Sequence, residues 1–231
     1  MSSAVINQLQ DLILKSVGPV PNSQSFYLTG GTALARFYLH HRQSRDLDFF
    51  TDRFEFIIPF SQNLEGSLKG MSLHVERQRE TVSFVELVVS DQNQKTLIHI
   101  AQDSSFRFEK VKQFQDYPGL NVDDLTDIAS NKLLALFGRA AFRDFIDVYY
   151  LITRSGFSRD QLADLAKQKD PGFDLYWLMI AFRRIETFND KAPDLLLVLE
   201  EIPFEDFRRF FLNWSETIAK KLEILDDKDK T

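Results

Sequence analysis

The residues of this chain best suited to chemistry lie between Thr29 and Thr51, in the run TGGTALARFYLHHRQSRDLDFFT. Asp46 and Asp48 stand two apart in a short apolar stretch. On a strand, residues two apart share a face. Both carboxylates therefore point one way, while Leu47 and Phe49 point into the core. Two carboxylates this close repel each other unless a cation lies between them. Oxygen donors at that spacing suit Mg²⁺, which keeps several waters and takes substrate phosphates into its shell. Upstream, Gly30 and Gly31 allow a tight turn and a close approach of backbone to a ligand. The Thr32 hydroxyl and the free amides of a helix start can hold phosphate oxygens. A phosphate-holding turn with a metal-holding carboxylate pair is the minimum for metal-assisted phosphoryl or nucleotidyl transfer.

The elements that position these groups follow from the apolar pattern. Ser25 to Leu28 reads as a strand ending at Gly30-Gly31, Thr32 to Leu39 as a helix, and Leu47 to Phe50 as a second strand. Residues 3–17 suit an amphipathic helix, and residues 60–69 another. Leu73 to Gln78, Val82 to Val89 and Thr96 to Ala101 read as three further strands, with a turn at Asp91–Gln94 making a hairpin of the last two. Tyr117-Pro118-Gly119 marks a turn. Beyond it the texture becomes helical. The run 123–156 reads as one long helix or as two broken near Gly138. Ser158 with Gln161 signals a capping box for a helix over 159–169, and helices follow over 173–188 and 204–225. The final DDKDKT reads as a frayed polar tail. The boundaries drawn are 1–120 for a mixed sheet with flanking helices and 121–231 for a helical half that completes the site.

Composition narrows the possibilities. The chain has 231 residues, 44% hydrophobic and 27% charged, which is the make-up of a folded globular protein. With no cysteine, a disulfide framework, a thiolate zinc site and a cysteine nucleophile are all excluded. No apolar run approaches the roughly 20 residues that span a bilayer. The N-terminus lacks the basic start and cleavage site of a secretory signal. A cytoplasmic location is expected. The net charge of −6 argues against broad nucleic-acid binding. Yet Arg36, Arg42 and Arg45, with His40 and His41, crowd a ten-residue stretch without an acid. That crowding suggests a local cationic cleft. His40 and His41 read as loop residues rather than ligands. The phenylalanines, among them Phe26, Phe49, Phe145 and Phe211, read as packing.

Gly31-Thr32, thirteen residues, then Asp46-Leu47-Asp48 resembles the signature of the polymerase-beta nucleotidyltransferase superfamily. More specifically, GGTALARFYLHHRQSRDLDFF resembles the first motif of the AbiEii/AbiGii toxin family of nucleotidyltransferases. A second resemblance lies downstream, in Lys132, Arg139, Arg143-Asp144 and Asp147. On one continuous helix, Lys132, Arg139, Arg143 and Asp147 would fall within about 80° of one face, an arrangement suited to a triphosphate. The alternative is a solvated face with an Arg143–Asp147 ion pair.

The resemblance implies an α+β fold and an Mg²⁺-dependent transfer of NMP from an NTP to an acceptor, with tRNA or another RNA a plausible one. Asp46 and Asp48 would bind the metal. Lys132 would neutralise phosphates, and Asp147 would act as a general base or orient the attacking group. Gly30, Gly31, Thr32, Arg42, Ser44, Arg139 and Arg143 are the nucleotide-binding candidates. Many enzymes of the superfamily carry a third metal carboxylate on a later strand. Here that strand offers His99, leaving Glu86 or Asp147 as substitutes. The resemblance further implies a toxin with a cognate antitoxin or regulator as partner. The same site would serve a small-molecule or protein nucleotidyltransferase, and a catalytically silent nucleotide-binding module would retain the fold.

Overall fold

Strands β1 (Tyr27–Thr29), β2 (Asp46–Thr51), β3 (His74–Thr81), β4 (Phe84–Ser90), β5 (Lys95–Gln102), β6 (Lys112–Gln113) and β7 (Asn121–Val122) form one sheet in the order β3-β4-β5-β2-β1-β7-β6. The computed structural model describes residues 5–200 and 202–228, with side chains through residue 223. The sheet is mixed. β2 runs antiparallel to β1 and parallel to β5, and β7 lies parallel to β1. The β4–β5 hairpin closes through Asp91, whose side chain accepts from the amides of Asn93 and Gln94. In β2, Leu47, Phe49 and Thr51 are buried, while Asp46, Asp48 and Phe50 are partly accessible. The expected alternation is therefore observed.

Helix α1 (Gln8–Ser16) starts with a capping box between Asn7 and Gln10, and it buries Leu9, Ile13 and Leu14. Of the expected helix over 3–17, residues 3 and 4 lie outside the described residues. Helix α2 (Gly30–Ala33) continues as a π-helical segment, Leu34–Leu39, that ends at His40 in a left-handed conformation. Helix α3 (Ile57–Gly70) buries Ile57, Phe60, Leu64 and Leu68, which recur at helical spacing on one face. Phe60 stacks on Phe26 with centroids 4.1 Å apart and meets Phe49 edge-on. Val82, expected within a strand, sits in the β3–β4 turn and is exposed.

Two compact units divide the chain, the first ending at Ile128 and the second beginning at Ala129. The first unit extends past residue 120 because Asn121–Val122 adds a strand to the sheet. Helix α4 (Leu125–Arg139) runs through Gly138 without a break. It ends at Ala140, whose φ of 45° leaves helical geometry. Helices α5 (Phe142–Arg154), α6 (Arg159–Lys169), α7 (Leu175–Phe182) and α8 (Phe204–Lys228) follow. Aromatic rings fill the second unit's interior, with Phe145 against Phe211 at 4.8 Å and Phe182 against Trp214 at 4.7 Å. The Ser158–Gln161 capping box is present at the start of α6. Residues 226–228, expected in a frayed tail, belong to α8, and residues 229–231 lie outside the described residues. The whole is an α+β fold, with the sheet in the first unit and helices in the second.

Phe60 is fully buried between two rings. Phe60→Ala is expected to remove about 3–5 kcal/mol of unfolding free energy, read as a lower urea midpoint with unchanged slope.

Candidate active site

Thr29, Asp48, His99 and Glu86 form a row across four neighbouring strands. The sheet register pairs Thr29 with Asp48, Asp48 with His99, and His99 with Glu86. His99 Nδ1 lies 2.9 Å from Asp48 Oδ1, and His99 Nε2 lies 3.4 Å from Glu86 Oε2. The hydrogen bond to Asp48 raises the His99 pKa against the opposing effect of burial, with the charges of Asp48, Asp46 and Glu86 adding to it. At the other end of the row, the Thr29 hydroxyl donates to Asp123 Oδ2 at 2.6 Å, and Asp123 pairs with Arg107. This anchors the residue that precedes the Gly-Gly turn.

Gly30 has φ +73°, and a β-carbon there would lie 2.4 Å from Asp48 Oδ2. Gly31 faces another crowded place, where a β-carbon would stand 2.5 Å from Arg42 Nη2. Both glycines thus serve close approach. Asp48 and Arg42 occupy the space that the missing side chains leave.

Thr32 is fully buried. Its hydroxyl donates to the carbonyl of Asp46 and bonds to Ser44 Oγ at 2.7 Å. The expectation that this hydroxyl holds phosphate oxygens is corrected, since burial and backbone bonding commit it to joining α2 to the start of β2. Ser44, a nucleotide-binding candidate, ties the loop to its surroundings. Its amide donates to the Val5 carbonyl, and its own carbonyl accepts from Gln10 Nε2. Arg42 is a second correction. It is buried, donates to the Gln43 carbonyl and lies against Gly31, so it builds the turn. Arg36 donates to the Tyr117 hydroxyl and covers its ring. His41 is also buried, which leaves His40 and Arg45 as the exposed members of the stretch. The expected cationic cleft over 36–45 is therefore not formed.

In the second unit, Lys132 Nζ pairs with Asp147 Oδ2 at 2.7 Å, with the two side chains 9% and 0% exposed. Arg139 grips the buried Asp144 with two bonds of 2.8 Å. Arg143 is exposed. The expected single face of Lys132, Arg139, Arg143 and Asp147 is corrected, because Ala140 separates α4 from α5 and the residues sort into two pairs and one solvated arginine. The alternative Arg143–Asp147 pair is not the one formed either, since Asp147 takes Lys132 across the helix break.

Among the described residues, no group of three or more His, Cys, Asp or Glu is arranged to hold a metal ion. Asp46 and Asp48 nevertheless put two hard oxygen donors on one accessible face of β2. One or two carboxylates, completed by water and substrate phosphates, is the usual protein share of an Mg²⁺ site. The donor set fits that ion. The groups that sequence reasoning missed are His99 as a partner of Asp48 and Asp123 as a partner of Thr29. Both pairs are distant in sequence, and only the strand order brings them together.

Several known proteins are similar to this chain. The profile of the nucleotidyl transferase AbiEii toxin family, type IV TA system, matches residues 12–219. The uncharacterized protein aq_aa25 of Aquifex aeolicus is 29% identical over 194 residues, covering 80% of this chain and 84% of that one. Two solved Helicobacter pylori structures share the fold at 20% identity. The first has a TM-score of 0.61 and covers 94% of this chain and 95% of its own, and the second, JHP933, has 0.59 with 96% and 94%. MenT4, a nucleotidyltransferase toxin of Mycobacterium tuberculosis, aligns with a TM-score of 0.52 at 16% identity, covering 90% of this chain and 82% of that one.

Two outcomes are expected from this geometry. Gly30→Ala drives a methyl group into Asp48 Oδ2, so it should abolish whatever function Asp48 performs while far-UV circular dichroism stays near native. Asp147→Asn leaves the Lys132 ammonium buried without its carboxylate. It should cost about 3–5 kcal/mol of stability, measured by chemical denaturation.

Proposed function

The chain belongs to the AbiEii nucleotidyl transferase toxin family of type IV toxin–antitoxin systems, and from that premise we propose that it transfers NMP from an NTP to a hydroxyl of an RNA acceptor, with tRNA the first to test. Nucleotidyl transfer is the family's activity, and the family implies an NTP substrate and an antitoxin partner. The observation that carries the reading is the Asp46/Asp48 pair, presented on one face of β2 beside the Gly30-Gly31 turn.

The roles follow from charge and position. Asp46 and Asp48 hold Mg²⁺, which when bound supplies positive charge to the phosphates and polarises the α-phosphate. Gly30 leaves room for Asp48, and Gly31 leaves room for the arginine that stiffens the turn. Thr32 and Ser44 set the height of β2 against the turn. Lys132 supplies charge for the nucleotide phosphates. Asp147, fully buried on the Lys132 ammonium, orients that lysine rather than taking a proton from the acceptor. Arg143, exposed in the second unit, remains a candidate for phosphate contact, while Arg139 holds Asp144. The acceptor hydroxyl oxygen bonds to the α-phosphorus and gives its proton to solvent, while the bond from the α-phosphorus to the bridging oxygen breaks and pyrophosphate departs. We place the protein in the cytoplasm, where NTPs and RNA are found. Among the described residues, no helix is long and apolar enough to cross a membrane.

Incubation with α-labelled NTPs, total RNA or tRNA, and Mg²⁺ should label the RNA. Asp48→Ala is expected to lower the rate about 10²-fold or more, and EDTA to abolish labelling. Labelling that survives Asp48→Ala in full removes the proposed site. Expression should arrest growth, and Asp46→Ala should relieve the arrest. A gain of tolerance to one antibiotic, without arrest, would instead select a small-molecule acceptor.

A further inference from the structure

Of the row Thr29–Asp48–His99–Glu86, Asp48 alone has a role in the reaction drawn above. We propose that His99 is a positioning residue for Asp48, an inference that rests on the nucleotidyltransferase reading and assigns the aim of its metal-binding carboxylate.

The argument starts from hydrogen-bond chemistry. An ionised carboxylate only accepts. His99 Nδ1, 2.9 Å from Asp48 Oδ1, therefore carries the proton and donates it, whether the ring is neutral or charged. The other ring nitrogen faces Glu86 Oε2 at 3.4 Å. Glu86 is itself flanked by its cross-strand partner Arg79, with Nε 3.8 Å from Oε1. The imidazole is thus tethered at Nδ1, with the Phe84 ring 5.8 Å away as a second restraint. Asp48 is held from two sides. One oxygen bonds to His99, and the other lies against Gly30 in the space a β-carbon would fill. These two restraints leave the carboxylate plane little freedom to rotate.

The same geometry sets Glu86 apart from the carboxylate pair. It sits on β4, separated from β2 by the whole of β5. Two strand spacings are roughly 10 Å, so its carboxylate acts on Asp48 only through the imidazole between them. Residue 99 stands on the strand where many superfamily members place a third acid. Here it contributes a hydrogen-bond donor instead. Outer partners of this kind commonly govern metal affinity.

The test compares His99→Asn, His99→Gln, His99→Leu and Asp48→Asn in the full chain. The Asn amide nitrogen can stand near the Nδ1 position, whereas the longer Gln carries its amide toward the Nε2 position. Mn²⁺ binding is read by electron paramagnetic resonance, and RNA labelling is measured in parallel. His99→Asn should stay close to wild type. His99→Gln and His99→Leu should each lose about 10–100-fold in Mn²⁺ affinity, with a matching fall in labelling rate at low Mg²⁺. Circular dichroism identifies any variant that fails to fold. The Asn and Gln pair decides the matter if the Leu variant does. Wild-type Mn²⁺ affinity in His99→Gln, or equal loss in the Asn and Gln variants, overturns the proposal. Asp48→Asn separates it from the underlying reading. If that variant binds Mn²⁺ as wild type does, the metal assignment itself fails. If it loses binding while His99→Gln does not, only the role of His99 fails.

Discussion

With Asp48 placed as it is, a β-carbon on residue 30 would lie 2.4 Å from its Oδ2, so one of the two would have to shift. Much of the first unit's site is arranged around that exclusion. Because residue 30 is glycine, β1 can end beside Asp48, and Thr29 can sit opposite it in register. The turn then feeds directly into α2. Thr32 reaches back from α2 to the carbonyl of Asp46, at the other end of the carboxylate pair. One small residue therefore permits both the aim of a carboxylate and the short path from sheet to helix. Backbone permissiveness usually destabilises a regular element. At this position it is the condition for having the element and the site together.

Charge in this chain is used for construction as much as for binding. Arg42 braces the turn, Arg36 caps Tyr117, Arg107 holds Asp123, and Arg139 holds Asp144. Lys132 is buried on Asp147. A buried ion pair contributes little net stability but is costly to break from one side. Such pairs specify geometry. The basic stretch 36–45 is a clear case, because proximity in sequence suggested a cationic surface and the fold turned most of it inward. Net charge predicts long-range behaviour but not which cations reach solvent.

What could be read in the sequence follows the range of the forces involved. The alternation of β2, the Asn and Asp turns, the Ser158 capping box and the amphipathic helices are local, and their patterns are visible in a few residues. The strand β7 has two residues, too few to show a period, so a boundary read at residue 120 falls just before it. The run 123–156 reads as one long helix or as two broken near Gly138, the residue with the weakest helix preference nearby. The helix breaks at the buried Ala140, whose φ of 45° is one that alanine rarely adopts. The carboxylate pair was legible because it is contiguous. His99 looked like a missing acid, since only the pairing of β5 with β2 reveals whose neighbour it is.

The alternation in β2 carries one last implication. That strand is hydrogen-bonded on both sides, with β1 at one edge and β5 at the other. A slip of one residue would exchange its faces. Leu47 and Phe49 would meet water, and Asp46 and Asp48 would be driven into the hydrophobic interior. A chain misassembled in this way loses its core and its chemistry in the same event. The fold therefore proofreads its proposed active site, since a copy stable enough to persist is one in which the two acids already face outward.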